Sequence, residues 1–230
     1  AVGIEAAKAT VDRLGARKIN TANVPVLLHR DIASSLFGHY VGAISGGSLY
    51  RRSSFLLDSL GKQVFPEWLN IEERPFIKGG LASSSFDNEG VACSDMTIVD
   101  GGKLATYLYT TYSSRKLNTR SNGHAGGIHN WLVGDTGHSD ADLLKEMGTG
   151  LFVTELMGQG VNGVTGDYSR GAAGYWVENG IIQYPVHEVT IAGNLKDMFK
   201  GIVAIGAEKD VRGSVQTGSV LIDQMKIAGS

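Results

Sequence analysis

The chain has 230 residues, 42% of them apolar and 19% charged, with a formal net charge of −2. There is no Lys/Arg run of the kind that tracks a phosphate backbone, so a nucleic-acid partner is not expected. No apolar stretch approaches the roughly 20 residues of a membrane span, and the N-terminus carries no basic segment followed by an apolar core, so no signal peptide is visible.

A chain of this length buries about 70% of its unfolded surface and needs no disulfide or metal to fold. The one cysteine, Cys93, has no internal disulfide partner, which fits a reducing compartment. It reads as a structural or incidental residue, and a cytoplasmic soluble protein is the expectation. The 32 glycines against 4 prolines argue for tight turns and close backbone approaches in a sheet-rich fold rather than for a disordered linker. The chain opens at Ala1 and runs straight into a helical pattern, as a fragment of a longer protein would.

Residues 3–14 predict an amphipathic helix, with Ile4, Ala7, Val11 and Leu14 at helical spacing and Gly15 as its stop. Val24, Val26 and Leu28 alternate like a short strand. Asp31 is the expected N-cap of a second helix carrying Ile32, Leu36, Phe37, Val41 and Ile44, which Gly46-Gly47 ends. From Ser48 to Gly90 the periodicity is weak and punctuated by Ser, Gly, Pro66 and Pro75.

Beyond Gly90 the chain becomes strand-like. Residues 96–99, a Gly-rich turn at 100–102 and residues 104–112 predict a hairpin. Ser139 and Gly148 bracket a helix over 140–147, and Asn179-Gly180 marks a second hairpin over 175–182. Leu195, Met198, Phe199 and Ile202 mark a last helix, and residues 219–227 a last strand. The expected fold class is α+β, mainly antiparallel β-sheet with a few helices, without internal repeat or clear domain boundary.

Two segments could carry chemistry. In the first, His124 and His129 flank Ala-Gly-Gly-Ile and are followed by Asn130-Trp131. Two imidazoles on a Gly-rich spacer are able to share a metal. Against this, no Glu follows His124, Cys93 is the one thiolate candidate, and no third ligand is identified. A structural or interface loop is the favoured reading. In the second, residues 165–174, Asp167 and Arg170 either pair to fix a loop or hold a peptide or partner backbone. No phosphate-binding P-loop and no serine nucleophile elbow is present.

Five long runs resemble the PmbA/TldE branch of the TldD/PmbA family: residues 34–55, 123–131, 145–160, 166–180 and 191–198. The resemblance covers essentially the whole chain, 1–230, as the C-terminal domain of such a protein. It implies that an N-terminal α/β domain of the family is absent from this chain. In the TldD branch a helix carries His-Glu-x-x-x-His and a later Cys completes a zinc site. The matching positions here are Ser34, Ser35 and His39, with Thr217 at or near the Cys position, so the resemblance implies a degenerate site: no catalytic residue and no metal ligand set in this chain.

The resemblance further implies a heterodimer. Zinc would sit in a TldD-type catalytic subunit, the substrate would be unfolded peptide (peptide precursors for maturation, small antitoxins for degradation), and His124, His129, Asn130, Asp167 and Arg170 would be candidate peptide or partner contacts. An older label of the family, modulator of DNA gyrase, reads as an indirect effect of that proteolysis. A homodimer, a self-sufficient metallopeptidase and an interaction module outside any protease remain as alternatives.

Overall fold

The computed structural model describes residues 2–229, the side chain of Glu5 aside. In chain order the elements are α1 (Val2–Val11), β1 (Ala22–Leu28), α2 (Arg30–Ile44), α3 (Gly46–Tyr50), β2 (Ile71–Glu73), β3 (Met96–Asp100), β4 (Lys103–Leu104), α4 (Thr111–Lys116), β5 (Trp131–Val133), α5 (Asp140–Met147), β6 (Gly150–Met157), β7 (Asp167–Glu178), β8 (Ile181–Asn194), α6 (Leu195–Lys200), β9 (Ile202–Ile205), β10 (Val215–Gln216) and β11 (Val220–Ala228).

The larger sheet runs β1-β6-β7-β8-β11-β9, and β1 pairs back onto β11, which closes the first five of these strands into a small barrel. The smaller sheet runs β10-β5-β2-β3-β4. Among the described strands, only β1 with β6 and β10 with β5 run parallel, so the fold is α+β and mainly antiparallel, as the sequence predicts. No helix among the described residues is long and apolar enough to cross a membrane.

Strand β1 shows how the sequence builds two layers. Val26, Leu27 and Leu28 are all fully buried. Side chains alternate along a strand, so Val26 and Leu28 join the main core while Leu27 joins a second cluster with Leu143 and Met147 of α5. The register slips between Val24 and Val26, at Pro25, which has no N–H for the ladder.

Helix α2 buries Ala33, Leu36, Phe37, Tyr40, Ala43 and Ile44, a stripe at helical spacing. The Tyr40 ring packs edge-on against Phe65 at 4.9 Å and Phe199 at 5.7 Å, which ties α2 to the irregular segment before β2 and to α6.

Several expectations need correction. His29, not Asp31, caps α2: its Nδ1 accepts from the Asp31 N–H. The predicted strand 104–112 ends at Leu104, and its last residues instead enter α4, which Thr110 and Ser113 start with a capping box. The predicted helix 3–14 ends at Val11 as α1, and its apolar positions face no core: Ile4, Val11 and, beyond the helix end, Leu14 are 76%, 61% and 72% exposed. The Asn179-Gly180 turn is present with positive φ at both residues, but it joins strands of 12 and 14 residues, longer than the predicted hairpin. Ser139 caps α5 with a capping box and Gly148 ends it, as expected.

Candidate functional site

Helix α2 presents Ser34, Ser35 and His39 on its less buried side. The Ser35 hydroxyl donates to the Ile32 carbonyl at 2.7 Å, one turn back on its own helix. Ser34 and Ser35 face a cavity of about 340 Å³ closed by Gly213, Ser214 and Val215. His39 faces another, of about 310 Å³, with Ser48, Gln159 and Leu195, and Gly38 belongs to both walls.

The His39 ring stands edge-on to Tyr168 at 6.0 Å. Burial, and then the nearby Arg170 charge, push its pKa down. Thr217 is wholly buried, with its hydroxyl donating to the Gly218 carbonyl at 3.2 Å. The donor set at these four positions is one imidazole and three neutral hydroxyls, which does not suit zinc. His39 belongs to no converging group of His, Cys, Asp or Glu among the described residues.

A different constellation lies at the smaller sheet. Glu73 ends β2, and Trp131 opens β5 directly opposite it. The Trp131 indole N–H donates to Glu73 Oε2. The other carboxylate oxygen, Oε1, lies 3.1 Å from His129 Nδ1 and 3.1 Å from His124 Nε2. The latter contact is off the line of a hydrogen bond and leaves Nε2 without a partner.

The spacer between the two histidines needs its glycines. Gly126 has φ +103, and a Cβ there would fall 2.2 Å from the Asn88 side-chain nitrogen, so only glycine fits. All three side chains are deeply buried, with 2%, 2% and 10% exposure for Glu73, His124 and His129. Burial pushes the Glu73 carboxyl up, but His124, Trp131 and His129 together outweigh it and hold it below its ordinary value.

The surrounding residues are committed to holding this group. Asn122 accepts from the Tyr109 N–H at 2.7 Å, donates to the Tyr107 carbonyl at 2.8 Å and lies 2.9 Å from His124 Nδ1. Cys93 Sγ lies 3.6 Å from His129 Nε2. Burial, and then the Asp87 and Glu73 charges, push its thiol pKa up, which keeps it a thiol and a poor nucleophile. Asn130, fully buried with φ 46, accepts from the Ala82 N–H and donates to the Arg74 carbonyl and the Ser83 hydroxyl, so it ties down the loop after β2.

Asp167 and Arg170 stand on β7 of the other sheet. Asp167 accepts from the Thr165 hydroxyl at 2.6 Å and the Asn194 amide at 3.2 Å, which hold its pKa low. Arg170 donates to the Gly158 carbonyl at 3.1 Å. Among the described residues no ion pair joins them; each fixes its own loop. The structure thus unites His124 with His129, brings Arg170 near His39, and adds Glu73, which sequence reading missed. Glu73 lies 56 positions from His129, and no local spacing announces it.

Comparison with known proteins agrees with this fold. The family model described as PmbA/TldA metallopeptidase C-terminal domain matches residues 21–229. The chain is 59% identical over 228 residues to Metalloprotease PmbA of Escherichia coli O157:H7, covering 99% of this chain and 51% of that protein. A crystal structure from Bacteroides thetaiotaomicron, described as a modulator of DNA gyrase, superposes with TM-score 0.94 at 26% identity, over 99% of this chain and 52% of that one. TldE from Thermococcus kodakarensis shares the fold, with TM-score 0.86 at 21% identity over 98% of this chain and 55% of that one. The chain therefore spans about half the length of the relatives it matches, and over that span it belongs to the PmbA/TldD metallopeptidase family.

Proposed function

We propose that this chain is part of a non-catalytic subunit of a heterodimeric zinc peptidase, and that a TldD-type partner brings the zinc and the general base. The observation that carries this reading is the donor chemistry of α2 and its surroundings. Ser34, Ser35 and Thr217 hold hydroxyls where the family resemblance puts an imidazole, a carboxylate and a thiolate, and His39 is left alone. Without a carboxylate beside the ion there is no group to take the proton from a metal-bound water.

What such a subunit contributes is shape. Of the two end strands of the smaller sheet, β4 is already bonded along its outer edge, through Leu104, to residues 61 and 62, which leaves β10 as the edge for an unfolded peptide segment to pair with by strand addition. Peptide precursors and small unfolded antitoxins are the substrates this reading implies, in a cytoplasmic setting. The N-terminal α/β domain of the family would complete the subunit, and a homodimer is the alternative assembly.

The test is cleavage of an unstructured peptide by the intact protein alone, by a TldD-type partner alone, and by the two mixed. Cleavage only in the mixture, abolished by chelator and unchanged by Ser35→Ala, is the expected result. Placing His at 34 and Glu at 35 does not restore activity to the isolated protein while Thr217 remains. Zinc-dependent cleavage by the unmodified protein alone overturns the reading in favour of a self-sufficient metallopeptidase. Stable association with another protein and none with a TldD-type chain favours an interaction module.

A further inference from the structure

We infer that Glu73, His124 and His129 bind a divalent transition-metal ion of the zinc class, at a site separate from the α2 positions and independent of the heterodimer reading. The Asn122 side chain is oriented by two backbone contacts, since its amide donates to the Tyr107 carbonyl and its oxygen accepts from the Tyr109 N–H. That oxygen faces His124 Nδ1 at 2.9 Å, so Nδ1 must carry the proton. In the neutral ring Nε2 then presents a lone pair, 3.1 Å from a carboxylate oxygen. This nitrogen is deeply buried and makes no hydrogen bond.

His129 faces the same carboxylate oxygen. Cys93 Sγ lies 3.6 Å from its Nε2, and Cys93 directs its own S–H toward the Gly123 carbonyl at 3.9 Å. The His129 Nδ1–H donates to Glu73 Oε1 at 3.1 Å; with that ring proton moved to Nε2, which faces the Cys93 sulfur, Nδ1 is free to ligate an ion. One ring nitrogen without a partner, one whose proton can move to the far side of its ring, and one carboxylate oxygen thus lie within 4.8 Å of one another.

A cation held by all three residues gives His124 Nε2 its partner. Bonds of about 2.0–2.1 Å in a tetrahedral shell separate ligand atoms by about 3.3 Å, close to the two 3.1 Å separations found. Two imidazoles and one carboxylate suit zinc or a neighbouring transition metal rather than calcium or magnesium. The far side of each ligand is already held, by Trp131 on Glu73, Asn122 on His124 and Cys93 on His129, as ligating groups require. The group is too deeply buried for a peptide to reach, so the ion would join the end of β2 to the loop before β5 rather than act on substrate.

The test is titration of the intact, metal-free protein with cobalt(II), followed by visible absorption, together with the zinc content of protein refilled with zinc and desalted. One ion per chain is expected, with ligand-field bands and no thiolate charge-transfer band, because Cys93 is not a ligand. Glu73→Gln keeps the shape and an acceptor for Trp131, and should weaken binding at least tenfold (about 1.4 kcal/mol). His124→Asn should abolish the bands. If wild-type protein takes up no cobalt or zinc at micromolar concentration, or if Glu73→Gln binds as well as wild type, the inference fails. These readouts do not involve peptidase activity, so they stand or fall apart from the cleavage experiment.

Discussion

The α2 positions and the Glu73 group form an instructive pair. At the α2 positions proposed above as a degenerate site, Ser34 and Ser35 bring hydroxyls to a cavity of about 340 Å³ and His39 an imidazole to one of about 310 Å³. At Glu73 the chain has the donors, in a setting of 2–10% side-chain exposure where every outer contact is fixed. Access and ligand chemistry are thus divided between two regions. A residue's position in a motif and its fitness for metal chemistry are separate properties, and only geometry joins them.

The contrast can be broken by substitution. Trp131 is fully buried, donates to Glu73 and lies 6.0 Å from the Tyr40 ring. Trp131→Ala should cost about 3–5 kcal/mol of stability, read by urea denaturation. A cost near zero would mean that the Glu73 region does not anchor the smaller sheet.

Acid should separate the regions next. The Glu73 carboxyl is held below its ordinary value of 4.5, so its ionised form is favoured by folding. That contribution is complete above the unfolded value and is lost as the pH falls through the lower folded value. Metal-free wild type should therefore lose stability below about pH 4.5 more steeply than Glu73→Gln, with the two curves parallel above it. Equal slopes would show that the histidines and Trp131 do not favour the carboxylate.

The smallest effect belongs to α2. Ser35 bonds only to its own helix at a cavity wall, so Ser35→Ala should change stability by no more than about 0.5 kcal/mol. A thermal-melt shift comparable to that of Trp131→Ala would show that α2's hydroxyls carry more of the structure than their contacts suggest.

What the sequence disclosed follows the same division. Local signals were legible: the apolar stripe of α2, the Ser139–Gly148 brackets of α5 and the Asn179-Gly180 turn are written in adjacent residues. Features made by distant segments were not. Strand β6 is a mostly buried run, Gly150–Met157, directly after a helix, and such a run lacks the alternation that marks a half-exposed strand. Tyr107, Tyr109 and Thr111 alternate as a strand would, yet the Thr110–Ser113 capping box turns the chain into α4. His124 and His129 were visible as a pair, and their third member was not, because Glu73 meets them only through the pairing of β2 with β5.

The closure of the barrel has a consequence for the order of folding. Strand β1 lies between β6 and β11, with Ala22 opposite Ile227 and Leu28 opposite both Val220 and Val153. As the chain leaves the ribosome, β1 emerges long before either neighbour, and its second edge stays unpaired until β11 arrives. Contacts this far apart in sequence form slowly, and an unpaired apolar edge attracts other chains. The most vulnerable moment of this fold is therefore the interval between the synthesis of β1 and that of β11, and a chaperone that covers residues 22–28 in that interval would shield it most.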